Sequence, residues 1–367
     1  MSPHWMQTPS GKPRLRGLGI HLSGSPGPFN AITDVAGVEV GYTTLITGDG
    51  PRKVGVGPIR TGVTAILPRG RHDPQTACAA GAYSFNGNGE LTGLHWVEES
   101  GELTTPITIT NTHSCGVARD ATIQWLVTRA DKPAQDWGLP VAGETYDGEL
   151  NDINGFHVKA EHVIEALDAA RGGPIELGSV GGGTGMLTFD FKAGSGSASR
   201  QVGIGENTYT VGVFVQSNFG RRHEMTVQGR KVGLAMPGGE LRGRPVGSII
   251  AVVATDAPLL PHQLKRLARR VPIGIARTGG IGHNGSGDIF IAFSTANRDA
   301  YANQAPIASM HFIPNGRAID ALFEATAEAT EEAILDSIVA NETMIGADNH
   351  IALGLPRAAF VALMQQG

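Results

Sequence analysis

The sequence predicts an α+β fold in which helices cover β-sheets. Three observations carry this. Runs of β-branched and aromatic residues at 208–216, 249–255 and 289–293 read as core strands. Apolar residues at helical spacing mark long segments at 157–171 and 317–343. No internal repeat is present, and many strands beside long helices can bury their apolar faces only by packing in layers.

Taken in order, residues 1–28 are rich in Pro and Gly and read as an arm lying on the surface or on a neighbouring subunit. A single domain is expected over 29–367. Strands are predicted at 35–42, 63–67 and 107–109, then a helix over 116–130 with Ile123, Leu126 and Val127 on one face. The helix at 157–171 carries Val163, Ile164, Leu167 and Ala170 in one stripe and ends at Gly172-Gly173. A glycine-rich turn, 181–185, leads to a strand near 186–191, and the small residues of 193–199 suggest a flexible stretch. The strand 208–216 ends in Ser217-Asn218.

The polar, breaker-rich segment 237–247 reads as a processing loop ahead of the strand 249–255. Pro258 and Pro261 set a helix start. Leu264, Leu267, Ala268 and Val271 form its apolar face, with Lys265, Arg266, Arg269 and Arg270 mainly opposite. A turn over 279–287 feeds the strand 289–293. Ile319, Leu322, Phe323, Ala327, Ala333, Ile334 and Ile338 point inward from the helix 317–343, and a shorter helix follows Leu355.

Glycine makes up 52 of 367 residues, about twice the usual share of roughly 7%, so close backbone contacts and tight turns are expected. A net charge of −5 argues against a nucleic-acid or anionic-membrane partner. No apolar run of bilayer length occurs, and the first residues have no apolar core of a secretory signal, so a cytoplasmic protein is expected. Cys78 and Cys115 make neither a disulfide framework nor a CxxC pair.

Most short motifs fail on context. Gly280 to Gly285 spells GxGxxG but runs from a helical region into a strand, the reverse of a dinucleotide fingerprint. There is no phosphate-binding GxxxxGK[ST], no HExxH and no GxSxG. His113 with Cys115, and His72 with Asp73, lack a second pair at metal spacing, so no metal site is predicted.

Gly247-Ser248 stands out. A serine at the boundary of loop and core strand, behind a residue without a Cβ, is suited to self-cleavage. Its hydroxyl could attack the Gly247 carbonyl, and the new chain would then carry nucleophile and α-amine in one residue. By itself the dipeptide is more often an ordinary turn. Asn218, at a strand end, is the type of donor that stabilises an oxyanion. Ser286 and Asp288 are two apart at a strand mouth, so one carboxylate can orient one hydroxyl. Glu144 and Tyr146, also two apart, could hold an ammonium and donate to a carbonyl oxygen.

Six blocks together resemble the self-processing aminopeptidases that include the L-aminopeptidase/D-Ala-esterase/amidase and the β-peptidyl aminopeptidases. They are 30–41 (NAITDVAGVEVG), 144–152 (ETYDGELND), 180–186 (VGGGTGM), 213–218 (VFVQSN), 254–264 (ATDAPLLPHQL) and 286–295 (SGDIFIAFST). The resemblance implies a four-layer αββα sandwich, layered like the N-terminal-nucleophile hydrolases but connected differently. It implies self-cleavage before Ser248, with segments 1–247 and 248–367 staying associated, usually in a homotetramer, and no cofactor or metal.

By position, the resemblance makes Ser248 the nucleophile and Asn218 an oxyanion donor. Tyr146 would bind the carbonyl oxygen or leaving group, Glu144 the substrate ammonium, and Ser286 with Asp288 would support Ser248. The base stays open between the Ser248 α-amine, ordinarily at about 7.7–8.0, and the Ser286–Asp288 pair. The Gly-Ser junction and Tyr146 favour the L-aminopeptidase branch, acting on peptides, amides and esters of small L-residues, with D-Ala amides and esters beside them. β-Amino-acid peptides are the alternative, and acyl transfer to an amine or a non-hydrolytic binding relative are further ones. The loop at His283-Asn284 is expected to shape the pocket.

Overall fold

The computed structural model describes residues 2–129, 137–241, 247–302 and 307–366. In chain order the first strands are β1 (Glu39–Thr47), β2 (Ile59–Leu67), β3 (Cys78–Gly87), β4 (Glu102–Leu103), β5 (Ile107–Asn111) and β6 (Val141–Thr145). They are followed by β7 (Leu187–Thr188), β8 (Phe191–Lys192), β9 (Ser195–Ile204), β10 (Asn207–Asn218), β11 (Gly247–Thr255) and β12 (Ser286–Ser294). The order β1-β2-β5-β6 makes one sheet and β4-β3-β12-β11-β10-β9 the other, while β7 and β8 form a separate hairpin.

Side-chain alternation along β11 shows the layering directly. Ile250, Val252 and Ala254 join Ile66, Ile109 and Val141 in a core between the two sheets. Ile249, Ala251 and Val253 face the opposite way, into a core shared with helices. A strand covered on both faces needs a continuous apolar run, and all nine residues of β11 are buried. Helices α1 (Cys115–Arg129) and α2 (Ala160–Asp168) cover the outer face of the four-stranded sheet through Trp125, Val163 and Leu167. The six-stranded sheet is covered by α3 (Pro261–Ala268), α4 (Val271–Arg277) and α5 (Ala318–Val339). The result is the αββα sandwich.

α3 and α4 form the crossover between the parallel strands β11 and β12, the connection such a pair requires. Pro261 opens α3, and Leu264, Leu267 and Ala268 are buried as predicted. α5 is buried nearly all round from Ala325 onward, because β9 lies along it.

Several expectations change. The stretch 193–199 is not a flexible link: its second part opens β9 and all of it is buried. Its small residues serve close packing, since a Cβ at Gly196 would lie 1.9 Å from the Ala333 carbonyl oxygen of α5. The strand near 186–191 divides into β7 and β8 around Phe189 and Asp190, both at positive φ. β1 starts at Glu39, after a 3₁₀ turn at Ile32–Asp34. On α1 the buried face is Cys115, Ala118, Ala121, Thr122, Trp125 and the predicted Leu126, while Val127 is exposed.

The arm lies on its own chain. Leu15, Ile20 and Leu22 join the helix-side core, and Arg14 Nε donates to Asp336 of α5 at 2.8 Å. Of the expected processing loop, residues 242–246 fall outside the described residues. Its start is held by Arg222, which donates to the carbonyls of Met236 (3.2 Å) and Gly238 (2.7 Å).

Candidate active site

Strand pairing fixes what surrounds Ser248. It lies opposite Asn218 across the antiparallel β10–β11 pair and opposite Gly287 across the parallel β11–β12 pair. Gly247 is level with Ser286, and Ile249 with Asp288. Alternation then sorts the side chains. Ser248 and Asn218 share the inter-sheet face with Ile250 and Phe214, whereas Ser286 and Asp288 share the helix-side face with Phe290. The Ser248 hydroxyl oxygen accepts from the Gly287 N–H at 3.1 Å. Gly247 is needed for close approach, because a Cβ there would stand 2.3 Å from the Asn218 carbonyl oxygen.

Asn218 is fully buried, and its amide is oriented from both ends. Its Oδ1 accepts from the Leu187 N–H at 3.0 Å, and its Nδ2 donates to the Tyr146 carbonyl at 2.8 Å. Tyr146 immediately follows β6, and Glu144 is within it. The Glu144 carboxylate accepts from the Glu90 N–H at 3.0 Å and from the Thr112 hydroxyl. Burial pushes its pKa up, partly offset by those two bonds. Gly89 packs between this carboxylate and Gly287: a Cβ there would meet Glu144 Oε1 at 3.0 Å and Gly287 Cα at 3.1 Å. Glu144 and Gly287, the neighbour of Ser248, are thus brought to two sides of one glycine.

The Ser286 hydroxyl donates to Asp288 Oδ1 at 2.6 Å, and Asn86 Nδ2 donates to Asp288 Oδ2 at 3.0 Å. Burial pushes the Asp288 carboxyl up despite these donors. With Gly247, Phe219, Gly220 and His283, the pair lines a small helix-side pocket. His283, from the loop expected to shape the substrate pocket, lines this helix-side pocket instead, and its Nε2 is 2.8 Å from Glu224 Oε1. Ser286 makes no hydrogen bond to Ser248. The pair therefore flanks the Gly247–Ser248 peptide from the side opposite the Ser248 hydroxyl.

Asn218, Ser286 and Asp288 border the start of β11 and Glu144 approaches it across Gly89, whereas Tyr146 is tied to it through its carbonyl and turns its phenol toward Gly148. Sequence reasoning missed Thr112, Asn86 and the Leu187 N–H. Asn86 lies at the end of β3, in the turn-like run FNGNG, and only the β3–β12 register sets it opposite Asp288. Among the described residues no group of three or more His, Cys, Asp or Glu could hold a metal ion, and no helix is long and apolar enough to cross a membrane. His113 stacks on Phe156, and Asp73 pairs with Arg298.

Comparison with known proteins shows the family and the fold. The model of peptidase family S58 matches residues 30–352. The β-peptidyl aminopeptidase BapA of Sphingosinicella microcystinivorans is 50% identical, over 96% of this chain and 92% of that protein. BapA of Sphingosinicella xenopeptidilytica is 42% identical, over 96% and 91%. The structure of the L-aminopeptidase D-Ala-esterase/amidase of Ochrobactrum anthropi, a variant of the Ntn-hydrolase fold, superposes with a TM-score of 0.91. It is 44% identical, with 97% of this chain and 99% of that chain covered.

Proposed function

The chain belongs to peptidase family S58 and is an aminopeptidase, and from that premise we propose that it cuts itself before Ser248 and then releases N-terminal β-amino acids from short peptides and amides. The observation that carries this is the place of Ser248, at the mouth of a core strand between Asn218 and Gly287. The two BapA relatives support the β-amino-acid reading over the small L-residues favoured by the sequence alone.

In self-cleavage the Ser248 hydroxyl adds to the Gly247 carbonyl carbon. The peptide C–N bond breaks, an ester forms, and the nitrogen leaves as the α-amine of Ser248. Water hydrolyses the ester, leaving a carboxylate on Gly247. In turnover the same hydroxyl attacks the substrate carbonyl and passes its proton to the α-amine. The Asn218 amide, beside Ser248, stabilises the oxyanion, and the Tyr146 phenol is assigned to the carbonyl oxygen or the leaving group. The proton then goes to the departing amine, and water resolves the acyl-enzyme. Glu144 holds the substrate's ammonium, which limits release to one residue.

The facing of Ser286 and Asp288 toward the Gly247 side supports the α-amine as base, with this pair holding the amine rather than the hydroxyl. A cytoplasmic homotetramer is part of the same reading.

Intact mass and turnover test the proposal together. Two species, residues 1–247 and 248–367, and a higher kcat/KM on β-Ala than on L-Ala p-nitroanilide are expected. A single stable species would sink the self-cleavage. A preference for L-Ala would return the substrate assignment to the L-aminopeptidase branch.

A further inference from the structure

Lys192 is a basic side chain in an expensive place. It ends β8, the side chain is fully buried, and the neighbouring charge that acts on it is another cation, Lys12. Its Nζ donates to two carbonyls, Met186 at 3.0 Å and Ala193 at 2.6 Å. Packing alone asks only for an apolar stem of that length, since taking an ammonium out of water costs several kcal/mol unless something compensates.

What the ammonium touches connects it to the site. The carbonyl of Met186 and the N–H of Leu187 belong to one peptide group. That N–H is the one donated to Asn218 Oδ1 at 3.0 Å, and Asn218 stands opposite Ser248. The chain of contacts therefore runs Lys192 Nζ, Met186–Leu187 peptide, Asn218 amide, position of the nucleophile. A donor on a peptide oxygen draws electron density from its nitrogen and strengthens the N–H as a donor, and such chains reinforce one another in a low-dielectric interior. The Met186 carbonyl also accepts from the Ala193 N–H at 3.0 Å, so it stays partnered without the lysine.

We propose that Lys192 is a positioning residue for the oxyanion donor: through the Met186–Leu187 peptide it orients and polarises the Asn218 amide. This rests on the reading of Asn218 as an oxyanion donor, and goes beyond it in assigning what tunes that donor. Burial lowers the lysine pKa far below its ordinary value, yet even a neutral amine keeps two N–H donors for the two carbonyls.

The test is a double-mutant cycle on processed enzyme with Lys192→Met, Asn218→Ala and the pair. Asn218→Ala alone lowers kcat by about 100-fold, as loss of one oxyanion donor does. Lys192→Met lowers kcat about tenfold with KM unchanged, because polarisation strengthens a donor without supplying one. The double variant is no slower than Asn218→Ala, because Lys192 then has no donor to act on. Losses that multiply, an unchanged kcat, or a change confined to KM overturn the inference. Full activity in Asn218→Ala would instead refute the oxyanion reading itself. If Lys192→Met matures too slowly to accumulate as processed protein, the cycle is run with Lys192→Gln, and if that also matures slowly, on the self-cleavage rates of the precursors. The same coupling is expected there, and multiplying losses again overturn it.

Discussion

Asn218 and Ser248 occupy one register position of the antiparallel β10–β11 pair, with both side chains on the face between the sheets. Directly opposed residues have Cβ atoms only about 5 Å apart, so an oxyanion formed at Ser248 lies within reach of the Asn218 amide. Replacement of Ser248 by Ala removes the only hydroxyl at this position. Ser248→Ala is expected to remain one chain of 367 residues and to be inactive, by intact mass and p-nitroanilide turnover. Cleavage or turnover in that variant would dismiss Ser248 as nucleophile.

A second prediction concerns pH. Glu144 must be ionised to hold an ammonium, and its burial raises its pKa. The carboxylate therefore takes up its proton at a higher pH than the ordinary glutamate value of about 4.3. Below that point binding is lost, so KM rises as pH falls, starting above the usual glutamate range. Glu144→Gln keeps the size but not the charge. It should raise KM roughly 10- to 100-fold near neutrality, the worth of a charge-assisted hydrogen bond, and abolish this acid limb of KM. An identical pH profile of KM in both proteins would exclude Glu144 as the ammonium site.

How far the sequence reveals this site depends on the range of the interaction. The local patterns were legible: the buried run of β11, the proline start of α3, and the two-residue spacing that lets Ser286 donate to Asp288. The facing of that pair was not. Whether it meets the Ser248 hydroxyl or the Gly247 side depends on the parallel register of β11 and β12, which no local pattern specifies. The segment 193–199 was misread for a similar reason. Small residues look flexible until the element pressed against them, here α5, is known.

Gly89 gives a third test, because it is the spacer between Glu144 and Gly287. A methyl group would stand 3.0 Å from the carboxylate oxygen and 3.1 Å from a backbone carbon. Gly287 is backbone paired in β12, so the carboxylate must yield. Gly89→Ala is expected to lower kcat/KM about tenfold, since small displacements of a positioned group are costly. Most of the change should appear in KM, while thermal unfolding moves little. Wild-type kinetics would show that Glu144 has room to adjust and does not depend on this contact.

The last prediction concerns how the two processed segments hold together. Glu332 of α5 accepts from Arg16 Nε and Nη2, both at 2.7 Å, from Arg200 Nη2 at 2.7 Å and from Asn30 Nδ2 at 2.6 Å. Arg16, Asn30 and Arg200 precede the Gly247–Ser248 bond and Glu332 follows it, so the proposed cleavage would turn this cluster into a contact between two chains. Burial alone would push the Glu332 carboxyl up, but Arg200 and Arg16 hold it down at about 2. Its folded pKa is below its unfolded one, so the stabilisation is complete above the unfolded value, about 4.3, and is lost as pH falls toward 2. Across that window the loss is on the order of 3 kcal/mol at about 1.4 kcal/mol per pKa unit. Glu332→Ala leaves the buried Arg16 guanidinium without its carboxylate and Arg200 with the longer contact to Glu328 at 3.4 Å, and should cost about 3–5 kcal/mol at neutral pH. Chemical denaturation of processed enzyme at pH 7, 4 and 2.5 checks both statements. Wild type should weaken toward pH 2.5 by more than the alanine variant does, and parallel curves would remove Glu332 as the acid-sensitive clasp.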